Sequence, residues 1–317
     1  MSSVPIDFRA KGGVADRLFR GAATGAGVVV LAVLVLIASV TVSKAWPVFH
    51  SMGFSFFTSR TWSPPDEKYG ALAFIYGSLV SSAIALVLSV PVSLGIALFT
   101  TQVAPRRVRR AIVVLLDLLA VVPSVVFGLW GVLVLARPAG NFYKQIHNVV
   151  GGVPLIGGFF GNAQGRSFFT AGVILAVMVT PIVTALAREV IDTTPQADRE
   201  GALALGATRW EMIRGAVLPH SRAGIVGAVM LGLGRAMGET IAVALVIGSS
   251  PQITRNLFGS GDSMPAVIAN QWGDAGTTQR AALIGLAVTL LAVTITVNLV
   301  ANAVVARASR RSQGTRR

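Results

Sequence analysis

Glu200 to Pro219 reads EGALALGATRWEMIRGAVLP, a polar island holding Glu200, Arg209, Glu211 and Arg214 inside a chain that is 53% hydrophobic. Its punctuation predicts two short helices hinged on one glycine. Just upstream, Thr194-Pro195 places a capping hydroxyl before a proline suited to the first helical position, and starts a helix running through about Leu205. Gly206 ends it, because glycine takes the left-handed closing conformation without a Cβ penalty. Thr208 with Glu211 three residues later forms a capping box that starts the second helix, and Pro219 stops that one. Each piece is about ten residues, or ~15 Å, too short to cross a bilayer, so both are expected outside the lipid. On the second piece Trp210, Ile213 and Val217 form an apolar stripe at i, i+3 and i+7. Such a stripe packs either on the protein's own helix ends and lipid headgroups or in a groove of a separate protein.

What surrounds the island is membrane. The chain has 317 residues, 13% of them charged, and a mean hydropathy of +0.71. Three charge-free runs, Gly21 to Ser43, Tyr69 to Pro105 and Ala281 to Ala306, each exceed the roughly 20 residues a spanning helix needs. Three more carry isolated charges or none: Ala111 to Ala136 with Asp117, Ser167 to Ala187, and Ala223 to Ser250 with Arg235 and Glu239. The expected fold is therefore all-α, with six transmembrane helices. The first run is longer than the apolar core of a cleaved leader, which makes it a retained anchor. With no cysteine there is no disulfide and no thiolate metal site.

The formal net charge of +14 is distributed as topology, which argues against nucleic-acid binding. If the N-terminus is cytoplasmic, the inner segments hold Arg9, Lys11, Arg17 and Arg20, then Arg106, Arg107, Arg109 and Arg110, then Arg188, Arg199, Arg209, Arg214 and Arg222, then Arg307, Arg310, Arg311, Arg316 and Arg317. That is most of the basic residues, and the positive-inside rule places both termini in the cytoplasm. Residues 1–20 then form a cytoplasmic tail, 21–306 one membrane domain with a loop at about 194–220, and 307–317 a second basic tail. The outer connections, Trp46 to Lys68, Arg137 to Arg166 and Ser249 to Arg280, are rich in Gly, Pro, Asn and aromatics and are expected to be compact caps. Glycines between Gly151 and Gly165 argue for turns there. Pro91, Pro123 and Pro181 lie in or near spans, as packing kinks or as bends that move. Gly224, Gly227, Ala228, Gly232, Gly234 and Gly238 give the fifth span small faces for close helix contact.

Arg235 is the expensive residue. It follows Arg222 by about 13 residues, ~20 Å, near or just beyond the bilayer midplane, where an arginine costs at least about 2.5–3.5 kcal/mol unless it faces a cavity or a counter-charge. Glu239, one helical turn on, is one partner and Asp117 another. A guanidinium in a polar cavity also presents a planar fork of donors suited to tetrahedral oxyanions.

These residues resemble a known family. Glu200-Gly201-Ala202, then Gly206, then Leu218-Pro219 match the E-A-A-x3-G-x9-I-x-L-P loop of the membrane subunits of bacterial ABC importers, with Gly201 and Ala216 departing from it. The resemblance implies a type I ABC importer permease fold. It also implies that Glu200, Gly201, Ala202, Gly206, Trp210, Ile213, Leu218 and Pro219 couple to an ATPase subunit. GLGRAMGETIAVALVIG, Gly232 to Gly248, is similar to the Arg-Ala-x-Gly-Glu-Thr segment of Pst-type phosphate importer permeases, and Phe74 to Phe99 and Val122 to Gly131 look like the PstC subunit family more than the PstA family. That implies half of a heterodimeric pore in the bacterial cytoplasmic membrane. The implied partners are a PstA-type permease, a PstB-type ATPase dimer that binds ATP and magnesium, and a PstS-type extracytoplasmic phosphate-binding protein. Arg235, Glu239 and Asp117 would line the substrate path, with no cofactor on this chain and no enzymatic role for it.

Other patterns carry less. Gly232, Gly234 and Gly238 imitate a dinucleotide fingerprint but sit within a span, and no glycine-lysine pair exists to make a P-loop. His50, His147 and His220 lack metal spacing, and Gly259 to Ser263 has turn composition rather than a nucleophile's setting. Two rivals stay open: a permease for sulfate or molybdate, and an ion-coupled secondary carrier using Arg235, Glu239 and Asp117.

Overall fold

The computed structural model describes residues 14–153, 157–161 and 165–314. The remaining residues, which include Arg9, Lys11, Arg316 and Arg317 of the expected basic tails, lie outside the described ones. From the N-terminus come α1 (Val14–Met52), α2 (Ser55–Thr58), a hairpin of β1 (Trp62–Ser63) and β2 (Lys68–Tyr69) with Trp62 opposite Tyr69, and α3 (Leu72–Leu98). Then follow α4 (Arg106–Val121), α5 (Ser124–Trp130), α6 (Ala136–Val150), α7 (Phe168–Asp192), α8 (Gln196–Ala204) and α9 (Arg209–Met212). The last are α10 (Leu218–Gly238), α11 (Ile241–Val246), α12 (Met264–Gln271) and α13 (Thr277–Gly314). Wider π turns end α3 (Phe99–Val103), join α5 to α6 (Gly131–Leu135) and join α9 to α10 (Ile213–Val217). Among the described residues, six helical stretches are long and apolar enough to cross a membrane.

The bundle is organised around α7, the most enclosed of the six. Its N-cap is Ser167, whose hydroxyl accepts the Thr170 N–H, and the helix then runs 25 residues through Pro181 without breaking. α3 lies along it in the same direction. The α3 face is built from Ser78, Ser81, Ser82, Ala85, Ser89, Ser93 and Ala97, small side chains at helical spacing that let two backbones approach. A Cβ on Gly172 would strike Ile84, and Ser93 Oγ donates to the Thr180 carbonyl at 3.2 Å. α10 runs antiparallel on another side: Gly224 faces Val190, and a Cβ on Gly232 would come within 2.6 Å of Val183 and 2.8 Å of Val179. Gly224, Ala228 and Gly232 thus form a close-contact face of the kind the sequence predicted, whereas a Cβ on Gly227, Gly234 or Gly238 would meet nothing within 4 Å.

The third crossing differs from the expected single helix. It is two helices broken at Val122 and Pro123, which take extended backbone with ψ of 125° and 141°. Proline has no N–H and keeps the preceding residue out of the helical region, so α4 stops and α5 restarts. Together they run antiparallel to α7 along its length: Arg109 pairs with Asp192 at one end (2.7 Å), a Cβ on Gly131 would reach Ile174 (3.2 Å), and Gly165 presses on the Ala136 carbonyl at the other. Beyond that end the chain stays helical as α6, where a compact cap was expected. Ala139, Gly140 and Tyr143 give α6 a buried face that packs on Phe258 and Phe169, with Tyr143 and Phe258 stacked at 4.2 Å. Turns follow only in the glycine-rich stretch after Val150.

Candidate functional site

The fifth crossing breaks in the same manner as the third. α10 ends at Gly238, and Glu239 takes extended backbone (φ −70°, ψ 125°) before α11 starts at Ile241. The level of the break follows from its neighbours. Gly232 packs at Val179 and Val183, the middle of α7, and the Val246 carbonyl accepts the Ser167 N–H at 3.1 Å where α7 begins. Arg235 is therefore level with the middle of α7, and the break lies one turn farther from the Asp192 end.

The break overturns one expectation. Arg235 and Glu239 do not share a helical face and form no ion pair, because the helix that would align them ends between them. Glu239 instead turns to the next helix, accepting the Ala242 N–H at 3.4 Å as a weak cap, while Thr240 Oγ1 donates to the Gly238 carbonyl at 3.2 Å. Arg235 stays in the last turn of α10, where the carbonyl end of the helix favours a cation. Its side chain is exposed on the surface of the single chain. Asp117 is also exposed, on α4 to the Arg109 side of the other break, and pairs with neither.

The two restarted helices lie side by side and run in the same direction. Gly128 makes this possible: a Cβ there would come within 2.9 Å of the Ala242 Cα and 2.7 Å of Leu245. Gly131 does the same against Val246 at 2.7 Å. Two chain breaks, freed backbone groups and an unpaired guanidinium thus gather near mid-bundle. In hydrocarbon that arrangement is stable only where it lines a polar cavity or a protein interface.

At the Asp192 end the polar island forms the predicted hinge, with three changes. Gly206 has φ +85° and closes α8, and Thr208 and Glu211 form the full capping box: Thr208 Oγ1 accepts the Glu211 N–H (3.3 Å), and a Glu211 carboxylate oxygen accepts the Thr208 N–H (2.8 Å). Thr194 is not the cap of α8. Its hydroxyl meets Ser221 Oγ at 3.3 Å, tying the start of the elbow to α10, and Pro195 occupies the cap position. Nor does Pro219 stop the second helix. A π turn at Ile213–Val217 absorbs its missing N–H, so Arg209–Gly238 is one continuous 30-residue helix. The apolar stripe also divides. Ile213 and Val217 are buried with Ala97, Ala187, Ile191 and Met212, while Trp210 is 62% exposed. Glu200, Gly201 and Pro219 are exposed, Ala202 and Leu218 half-buried.

Residues 89–313 match the family model described as "Binding-protein-dependent transport system inner membrane component". The chain belongs to this permease family. Relatives named phosphate transport system permease protein PstC include one from Xylella fastidiosa, 41% identical over 302 residues and covering 94% of this chain and 92% of the relative. A PstC 2 from Mycobacterium tuberculosis is 40% identical over 295 residues, covering 91% of each. Among solved structures, a chain of a bacterial alginate ABC transporter aligns at a TM-score of 0.61 and 18% identity over 93% of this chain and 98% of that one. A chain of the MetNI methionine ABC transporter aligns at 0.55 and 14% over 74% and 94%. At those identities the likeness establishes only the fold, that of a type I ABC importer permease, while the multi-pass membrane setting rests on the family match and the six apolar helices.

Reading the permease's sequence missed several residues that the structure brings forward. Leu203 and Leu205 stand exposed on the elbow, Leu205 at 91%, as Trp210 does. The signal was present, since both are large apolar residues in a segment too short and polar to be membrane. Asp262 was missed as well. It is 4% exposed, its carboxylate accepts the Ser263 N–H (2.8 Å), and burial raises its pKa to about 7. No local pattern announces it, because it is buried by the distant Gly77 of α3, on which its own peptide presses.

Proposed function

We propose that this chain is a PstC-type subunit of an ATP-driven phosphate importer, forming half of the pore and carrying no catalytic chemistry or cofactor of its own. The observation that carries the reading is Arg235: a guanidinium at mid-bundle, released from Glu239 by the break, and exposed on the single chain where a second permease subunit would meet it. Its planar fork suits a tetrahedral dianion better than an ammonium would. The family and the names of the PstC relatives support the assignment of phosphate to that anion. In this reading the elbow, both termini and the Arg109–Asp192 pair are cytoplasmic, in keeping with the positive-inside rule. The far end then faces a phosphate-binding protein.

The elbow docks Leu203, Leu205 and Trp210 on an ATPase subunit, where ATP and magnesium are bound. Because the helix beginning at Arg209 is the one that carries Arg235 in its last turn, a displacement of the elbow travels about 39 Å along one continuous helix to the guanidinium. That is a direct mechanical route from nucleotide state to the anion path. The extended joints at Pro123 and Glu239 let the inner halves of both crossings move against α5 and α11, as alternating access requires.

The test is competition among oxyanions for ATP-driven uptake in vesicles holding the full four-component complex. Unlabelled phosphate should displace labelled phosphate at concentrations where sulfate and molybdate do not. Uptake driven by sulfate or molybdate with no response to phosphate would assign the permease to another oxyanion, and uptake by the isolated chain without ATP would assign it to the secondary carriers.

A further inference from the structure

A second set of cations lies far from the break. Arg137, Asn141 and Lys144 are at i, i+4 and i+7 on α6 and share one face of it. Together with Arg166 they wall an open cleft of about 430 Å³, floored by Val132, Ala136 and Gly140. Backbone contacts fix the arrangement. A Cβ on Gly165 would overlap the Ala136 carbonyl, so the peptide before Arg166 lies directly on the first turn of α6. Stacking of Tyr143 on Phe258 holds the adjoining Ala139–Tyr143 face of α6 inward, while Arg137, Asn141, Lys144 and Arg166 are exposed.

Among the described residues no acidic side chain lines this cleft, and Arg137, Lys144 and Arg166 form no salt bridge. Like charges gathered without a counter-charge raise the free energy of the empty cleft and favour its occupation by an anion. Arginine forks from two elements, with an ammonium and an amide between them, offer donors from several directions to a group with oxygens on every side. The cleft stands level with the start of α7, at the end of the bundle opposite the elbow.

Resting on the importer reading, which puts that end outside, we propose that the Arg137–Lys144–Arg166 cleft is an outer binding site for a phosphate group. It would hold the anion at the mouth of the pore before the anion reaches Arg235. The same chemistry suits free orthophosphate and the phosphate of an outer-leaflet lipid headgroup.

The experiment uses the permease–ATPase complex without the binding protein, carrying Arg235→Ala, which silences the inner guanidinium, in discs of a phosphate-free galactolipid. Binding of radiolabelled orthophosphate is measured with and without Arg137→Gln and Arg166→Gln, and separately with Lys144→Gln alone. Free phosphate as the ligand predicts saturable binding that weakens with salt and falls at least about tenfold in the double variant. Lipid as the ligand predicts that discs of phosphatidylglycerol abolish orthophosphate binding and that the double variant retains less phosphatidylglycerol on purification. Orthophosphate binding and lipid retention both unchanged by the substitutions, in complexes that still hydrolyse ATP, overturn the proposal. Oxyanion competition on the unsubstituted complex is scored separately, so a sulfate-specific importer would sink the functional reading without deciding the fate of the cleft.

Discussion

Arg235 and Glu239 stand four residues apart, the spacing of a helical ion pair, yet the helix ends between them and the Glu239 carboxylate faces the Ala242 N–H at 3.4 Å. Their effects on transport should therefore be independent. In vesicles of the full complex, the losses in uptake from Arg235→Ala and Glu239→Ala, expressed as free energies, should add to within about 0.5 kcal/mol in the double variant. A substantially smaller combined loss would show that the two charges pair during the cycle.

Arg235→Ala should cut phosphate uptake by about a hundredfold or more, while the ATPase subunit still co-purifies in normal proportion. Arg235→Lys should recover only a small part of that, because a point charge does not reproduce a two-pronged donor. Normal uptake by either variant removes Arg235 from the path.

Gly128→Val tests the junction of the two broken crossings. The added side chain meets the Ala242 backbone, which cannot yield as a flexible side-chain end would, so a cost of about 1–3 kcal/mol and a lower melting temperature in detergent are expected. Gly227→Val, at a position with open space, is the control and should melt close to the parent.

The elbow separates docking from stability. Leu205→Ala and Trp210→Ala remove exposed side chains and should leave the melting temperature of the permease nearly unchanged while loosening the ATPase subunit on gel filtration. Ile213→Ala should do the reverse first, costing about 2–5 kcal/mol of fold stability because Ile213 is buried against Ile191 and Ala187. Equal behaviour of the three variants would remove the distinction drawn between the two halves of the stripe.

Asp262 sets a pH dependence. Its folded pKa of about 7 lies above the ordinary 3.8, so the folded state binds the proton more tightly than the unfolded one. Its contribution is most favourable below pH 4 and is lost as pH rises through about 7, with an upper bound of roughly 4 kcal/mol. Thermal melting should show the permease more stable at pH 5.5 than at pH 8, and Asp262→Asn should flatten that difference. An identical slope in the variant would assign the dependence to other groups.

Some of this protein was legible residue by residue. The αL glycine at Gly206 and the Thr208–Glu211 capping box are local patterns whose physics operates over a few neighbours, and the structure carries both; six helical stretches among the described residues are also apolar and long enough to span, although the third is Ser124–Val150 and not the expected Ala111 to Ala136. Arg235 was conspicuous for a related reason, since a charge deep in an apolar run is costly wherever the run packs.

What stayed hidden depended on partners distant in sequence. Periodicity gave one long helix from Ala223 onward and so joined Arg235 to Glu239. Continuing past Gly238 would have required that stretch to pack differently against α5, where Gly128 sits on Ala242. Pro219 read as a stop, yet a π turn and the burial of Val217 carried the helix through it. The sequence by itself determined that this chain crosses a membrane six times and bends at a polar hinge, because hydropathy, capping and glycine conformation are local energies. Only the tertiary structure decided where the crossings break, which half of the Trp210 stripe is buried and that Arg137 and Arg166 stand together, because those depend on which backbones approach closely enough to exclude a side chain.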